Sequence, residues 1–479
     1  MCEQCTRRTF LGAGVMSGLV AAGAMSTHTH LLASQVAPLP PQEKARICVL
    51  LTGAPGPADR GWNTDPSQLE KARQVLADVE AKLGNVELIE RQVHSPQETA
   101  AVMKEVGAGT PVLAINLHCF ALKGVVQPVL DGQHPLVVFS LPASGHDWMY
   151  PMRWRRAGHR VTLLASSDYQ ELERAVRLLR VIPFMRQSRI LLFPPAQGTA
   201  PACDPQQVKD KLGTEVLAVE QSEFDEMLAQ VAEDAAVAEG QRWTAGATEI
   251  VEPNDEDISK AARVSIALQG LMERHRAQGL AVGTCMGWLD RGFPCLGFTR
   301  LRDNGLPAAC EGDMDSLLTM MLFQYAFDKP GFQGNQTFDT SRNAVWTAHC
   351  TAPLKLDGAE GAEAPYLLRG HSEVGGSGCV PEVRYRLGET ITRTKLVNLE
   401  TILVSTGKII EVPERSIRAC RTQIVTEVRD AAKMAANWSR VLQTEDAMTL
   451  LHRVVYYGDH LQSVRHLADL LDLKVEEEV

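Results

Sequence analysis

Ile47-Cys48-Val49-Leu50-Leu51-Thr52-Gly53 is an unbroken apolar run of strand length that ends at a threonine and a glycine. A strand buried on both faces reads this way, because neither side meets water. The segments around it decide the class. Residues 68–82 have helical spacing with the charges on one face, and Val86-Glu87-Leu88-Ile89 reads as a second strand. Residues 96–106 read as a helix, Pro111-Val112-Leu113-Ala114-Ile115-Asn116 as a third strand and Leu136-Val137-Val138-Phe139-Ser140 as a fourth. Strands alternating with helices predict a parallel sheet covered on both faces.

The pattern then restarts. Residues 169–180 read as a helix, 189–193 as a strand, 205–212 as a helix and 215–219 as a strand. A long helix follows over 257–278, its acidic start suited to the N-terminal dipole, and 280–283 is a strand. After Pro353 the texture changes to strand-like runs at 366–369, 390–396 and 401–405. Gly-rich turns such as Gly375-Gly376-Ser377-Gly378 separate them; with no helix or lysine behind it at phosphate-loop spacing, that turn reads as a hairpin. The predicted fold is α/β: two consecutive doubly wound, Rossmann-like domains at 44–164 and 165–346, then a smaller β-rich C-terminal domain at 347–479.

Composition narrows the function. The 479 residues are 45% hydrophobic and 22% charged, with a net charge of −10. That balance argues against a nucleic-acid partner, and no basic block suggests an anionic surface. Thr6-Arg7-Arg8-Thr9-Phe10-Leu11, followed by an uncharged Gly/Ala-rich run to Met25, resembles a twin-arginine export signal. The apolar run is short for a membrane span, which needs about 20 residues. We read 1–26 as a signal peptide and 27–43 as a linker, with a periplasmic or other extracytoplasmic destination and membrane contact only through the signal. An uncleaved anchor is the alternative. The 11 cysteines show no paired C-x-x-C pattern outside the signal, so a zinc–cysteine site is not expected. Disulfides remain open outside the cytoplasm.

Four segments carry a family likeness. The first is Gly292-Phe293-Pro294-Cys295-Leu296 with Arg300-Leu301 and Gly305-Leu306-Pro307, leading into Cys310-Glu311-Gly312-Asp313. The second is Pro330-Gly331-Phe332-Gln333-Gly334-Asn335. The third is Asn343 with Ala348-His349-Cys350-Thr351-Ala352-Pro353. The fourth is Leu451-His452-Arg453-Val454-Val455-Tyr456-Tyr457-Gly458-Asp459. Together they resemble the L-fucose isomerase family and its relatives of the L-arabinose isomerase fold.

The resemblance implies a divalent cation, typically manganese, used to interconvert aldoses and ketoses. It implies a small-molecule sugar as partner and a homo-oligomer, trimer or hexamer. Its metal ligands carry over to Glu311 and His452, while the position of a third, an aspartate in the family, falls on Asn335. His349 and His371 would line the substrate pocket.

Moving a proton between C1 and C2 through an enediolate calls for a cation and an acid–base pair. The expected metal ligands are therefore Glu311, Asn335 and His452, and the expected catalytic residues are Glu311, Asp313 and Asn335. An amide oxygen can ligate a hard cation but cannot take a proton from carbon. Three readings stay open: Glu311 as base with water or Asp313 as partner, Asp339 moving in beside the substrate, or a sugar-binding site without turnover. Each residue also has a structural reading. Asp313 and Asp315 precede an apolar helix and could cap it, His349 and His452 could be core histidines, and Asp339 could close a turn.

Overall fold

The computed structural model describes residues 43–53, 65–117, 122–142, 146–414, 419–441 and 446–478, all within one compact unit, Val36–Val479. The export signal and the linker apart from Glu43 lie outside the described residues. Among the described residues no helix is long and apolar enough to cross a membrane.

The first sheet contains β1 (Ala45–Thr52), β2 (Val86–Val93), β3 (Val112–Asn116), β4 (Leu136–Ser140) and β5 (Val161–Ala165), all parallel in the order β2-β1-β3-β4-β5. The order reverses after β2, as in a doubly wound sheet. β1, β3 and β4 are almost wholly buried, which is why they read as continuous apolar runs. β5 escapes the sequence reading because Arg160 and half-exposed positions interrupt its pattern.

The second sheet uses β6 (Arg189–Phe193) and β7 (Glu215–Ala218); β8 (Glu249–Ile250) leaves it to join a small sheet, and β9 (Gly279–Val282) and β10 (Ala308–Cys310) complete it. Its order, β10-β9-β6-β7, is again parallel. The fold is therefore α/β with two successive parallel sheets, as the alternation predicts. The helix read at 257–278 spans Asp255–His275, started by an Asn254 capping box.

The remaining strands are β11 (Phe332–Asp339), β12 (Ala344–His349), β13 (Tyr366–Arg369), β14 (Val380–Val383), β15 (Thr390–Val397), β16 (Thr401–Glu411), β17 (Thr422–Glu427), β18 (His452–Tyr457) and β19 (Lys474–Glu477). Antiparallel pairing runs β15-β18-β11-β12-β17-β16 and returns to β15, so six strands close into a barrel, with β19 added parallel to β16. Closure leaves those six strands without free edges. β13 pairs with β14 and β8, and Gly375–Gly378 lies in the β13–β14 connection, as the hairpin reading expects.

β11 and half of β12 precede residue 347, where the β-rich domain is expected to start, yet their partners β17 and β18 lie beyond it. Gly334-Asn335 is mid-strand in β11. Glycine and asparagine are poor strand formers, but pairing on both sides overrides that preference.

Candidate metal centre

The site forms where β10 ends. Ala308–Cys310 leads into Glu311 (φ 57) and Gly312 (φ 66), two successive left-handed residues that turn the chain into the helix Met314–Phe327. A side chain at Gly312 would meet Pro195 O at 2.4 Å. The loop is also clamped by the Gln197 N–H to Gly312 O bond (2.9 Å) and the Met314 N–H to Gln197 O bond (2.9 Å). Glu311 holds a backbone conformation uncommon for a residue with a side chain, a feature concentrated at functional positions.

Three barrel strands supply the rest. In β11, Asn335 is opposite His452 of β18 on one side and Ala348 of β12 on the other, and His349 ends β12. These pairings bring Glu311, His349 and His452 together, with ligand atoms all within 4.8 Å of one another. Glu311 Oε2 is 3.1 Å from His452 Nε2 and 3.8 Å from His349 Nε2. Asn335 Oδ1 is 2.8 Å from the same His452 nitrogen.

The expected trio of Glu311, Asn335 and His452 does converge, but the chemistry shifts toward His349. It was read as a substrate contact, and its Nε2 faces the same carboxylate as His452. Donors about 2.1 Å from one cation lie roughly 3.0–3.4 Å apart, so the observed separations fit a shared ion after small side-chain adjustments. One carboxylate and two imidazoles suit a borderline cation such as manganese, iron or zinc.

Asp313 differs from its expected role. It is fully buried, N-caps the helix through Ser316 N–H (2.9 Å), and accepts from Ser316 Oγ (2.7 Å) and Lys395 Nζ (2.8 Å). It is also 2.9 Å from His452 Nδ1. A carboxylate so enclosed cannot reach a substrate proton; it orients the imidazole that faces the cation position. Asp315, read as a cap, instead accepts from the Thr199 hydroxyl (2.7 Å) and backbone N–H.

Asp339 lies at the β11–β12 turn, where it accepts from Ser341 N–H (3.1 Å) and Oγ (2.6 Å). Four strand residues, about 13 Å, separate it from Asn335, so the structure does not bring it to the site. His371 is buried and stacked on Phe293 at 4.6 Å. Burial, then the neighbouring His349, pushes its pKa down to about 4.

Sequence reading missed Lys395 and Gln333. Lys395 is a fully buried cation inside β15. Gln333 clamps Cys310, accepting from its N–H (3.0 Å) and donating to its O (3.1 Å), and its amide nitrogen is 3.1 Å from His452 Nδ1. The available signal was a lysine inside an otherwise buried strand.

Charge in the cluster is mutually held. The two imidazoles beside Glu311 keep its carboxyl well below the usual range, against the effect of burial. Burial would raise Asp313, but Lys395 and His452 outweigh it and hold the carboxyl low. His349 is pushed down by burial. Its Nδ1 accepts from Cys350 N–H (3.0 Å), which leaves the ring proton on Nε2; ligation through Nε2 would place that proton on Nδ1, facing Thr351 Oγ1 at 3.4 Å. Burial works against a charged His452, yet the hydrogen bonds to Asp313 and Glu311 raise its pKa.

The sign of the pH dependence follows. His452 favours its protonated form in the folded state. Its stabilising contribution is fully present below the unfolded histidine value of about 6.5 and is lost as pH rises through the raised folded value. A cation needs the Nε2 lone pair and so must displace that proton. Manganese affinity is therefore expected to rise with pH across the window in which cation-free stability falls. Calorimetry in buffers of different ionisation enthalpy should show proton release on binding, and a pH-independent affinity above pH 6 would contradict this arrangement.

No protein-family model and no curated protein matches the chain. Among solved structures, it is similar to a solute-binding protein of an ABC transporter from Burkholderia multivorans that holds an unknown ligand represented as alpha-D-erythrofuranose. The likeness covers 59% of this chain and 93% of that one, at 10% identity and a TM-score of 0.20. A score that low carries no argument about function.

Proposed function

We propose that the chain binds a monosaccharide through a divalent cation, manganese by the family resemblance, held by Glu311, His349 and His452. The observation that carries this reading is the convergence of one partly exposed carboxylate and two buried imidazoles from separate strands and a strained loop. Such a cation would polarise neighbouring hydroxyl and carbonyl oxygens of an open-chain sugar. The finer reading is an exported aldose–ketose isomerase of the L-fucose isomerase-like kind, periplasmic and homo-oligomeric.

In that reading Glu311 takes the proton from C2 and returns it at C1, while the O2 hydroxyl proton passes to O1 through water. Its side chain is 28% exposed, whereas Asp313 is sealed. Its depressed pKa keeps it ionised but makes it a weaker base than an ordinary carboxylate. His371, neutral near pH 7, offers a hydrogen bond to a sugar hydroxyl.

Asn335 supports a second reading, carbohydrate binding without turnover. With an amide at Asn335, where the family carries an aspartate, and Asp313 enclosed, Glu311 has no second carboxylate to exchange protons with. Metal-analysed protein incubated with Mn2+ and a panel of aldoses in D2O separates the two by NMR. Ketose formation with deuterium at the exchanged carbon supports the isomerase, and saturable binding without exchange supports the binding protein. Absence of both metal and sugar binding overturns the proposal.

Asn335→Asp adds a charge at the cation. It is expected to tighten Mn2+ binding about tenfold, as coordination by one more anionic oxygen does. Unchanged affinity would place Asn335 outside the ligand set.

A further inference from the structure

Thiols flank two of the candidate ligands in the chain: Cys310 precedes Glu311 and Cys350 follows His349. Neither sulfur belongs to the cation cluster. Eight cysteines among the described residues are free; Cys350 adjoins Cys420, and a second pair meets at the end of β10. Cys285 Sγ lies 3.3 Å from Cys310 Sγ, with the two residues only 3% and 5% exposed.

The fold sets this pair. Cys310 ends β10 opposite Val282 of β9, and Cys285 begins the short turn Cys285–Arg291 just beyond β9. Both backbones are wedged against the same carbonyl: a Cβ on Gly283 would meet Pro195 O at 2.1 Å, and one on Gly312 would meet it at 2.4 Å. The two sulfurs are thus held side by side at the carboxyl ends of adjacent strands.

We propose that Cys285 and Cys310 are a disulfide-forming pair, and that closing the bond weakens cation binding at Glu311. A disulfide bond is about 2.05 Å long, so the sulfurs must approach by about 1.3 Å. Side-chain rotation and a shift of the Cys310–Glu311 backbone share that movement. Two ligands feel it. Glu311 follows Cys310 directly, and Gln333, which clamps both main-chain groups of Cys310, also touches His452.

The chemistry balances with an external disulfide such as oxidised glutathione. The two protein thiols lose two protons and two electrons as their sulfurs join, and the reagent's S–S bond breaks to give two thiols. A cavity of about 360 Å³ at this end of the second sheet is lined by Thr284 and Gly287, on either side of Cys285, and offers a route of approach. An oxidising compartment, which the export signal implies, favours the bonded form.

The bond stands independently of the cation proposal; the loss of affinity rests on it. The test oxidises the full chain with glutathione disulfide, maps alkylated peptides by mass spectrometry, and titrates Mn2+ before and after dithiothreitol. The expected result is a Cys285–Cys310 cross-link, two fewer reactive thiols, and a Kd for Mn2+ at least about tenfold weaker that returns on reduction. Cys285→Ser keeps the reduced affinity under both conditions. Free thiols at both positions, or a cross-link joining Cys350 to Cys420 instead, overturns the pair. A cross-link with unchanged Kd overturns the coupling. Absence of Mn2+ binding in both forms removes the cation reading and the coupling with it, while the peptide map still decides the bond.

Discussion

Asp313→Ala is expected to destabilise the protein by about 3–5 kcal/mol, the cost of breaking a buried ion pair by removing one partner. Lys395 would be left fully buried with its ammonium on a single carbonyl, Met448 O at 2.8 Å. The same change removes the N-cap of the helix Met314–Phe327, worth about 1 kcal/mol. Urea denaturation measures the loss. Pairing the change with Lys395→Met should recover much of it, because no uncompensated charge then remains. Strict additivity of the two single effects would show that the ion pair is not what holds this region. The pH profile gives a second check. A depressed carboxyl contributes stability that is fully present above its unfolded value of about 3.9 and is lost as pH falls through the folded value. The variant should lack that acid-side decline.

The second large effect is on binding. Glu311→Gln keeps the shape of the side chain and removes the charge that faces the cation, so Mn2+ affinity should fall about a hundredfold or more. The loop should keep its shape without metal, since Gln occupies the same left-handed position and the clamps on Gly312 and Met314 do not involve the side chain, while the fold loses the charge that Glu311 sets against His452. The discriminating measurement is the shift in melting temperature on adding Mn2+. A ligand that binds only the folded state raises it for wild type and not for the variant. A variant that is stabilised as much as wild type would remove Glu311 from the site.

Much of the α/β architecture was legible. β1, β3, β4 and β6 are buried on both faces, so their apolar runs carry the signal within a few residues. The helices Pro96–Val106 and Pro205–Leu212 match the sequence reading residue for residue, because Ser95 and Asp204 cap them and a proline starts each. The helices Gln221–Gln230 and Glu233–Gly246 were missed: neither N-cap residue makes a side-chain capping bond.

The site was half legible. Glu311, His452 and Asn335 were found through motif likeness, and the structure places them within contact of one another. His349 was given a substrate role, and nothing in Ala348-His349-Cys350 says that the strand will also bring it beside Glu311. Asp313 was read as chemistry because an acid beside another acid looks like a pair. Its enclosure by Lys395 comes from a strand about eighty residues further on.

The amino-acid order by itself determined which segments are buried strands, which are capped helices, and that acidic residues stand where the apolar helix after Gly312 begins. Those are local properties, fixed by hydrophobic periodicity, capping side chains and the steric freedom of glycine. Tertiary structure alone decided that β11, β12 and β18 lie side by side in a closed barrel, and so which histidine meets Glu311 and which carboxylate is sealed away. Strand partners are chosen by burial and hydrogen bonding across long chain separations, and no window of sequence around His452 contains the residues that give it its charge and its neighbours.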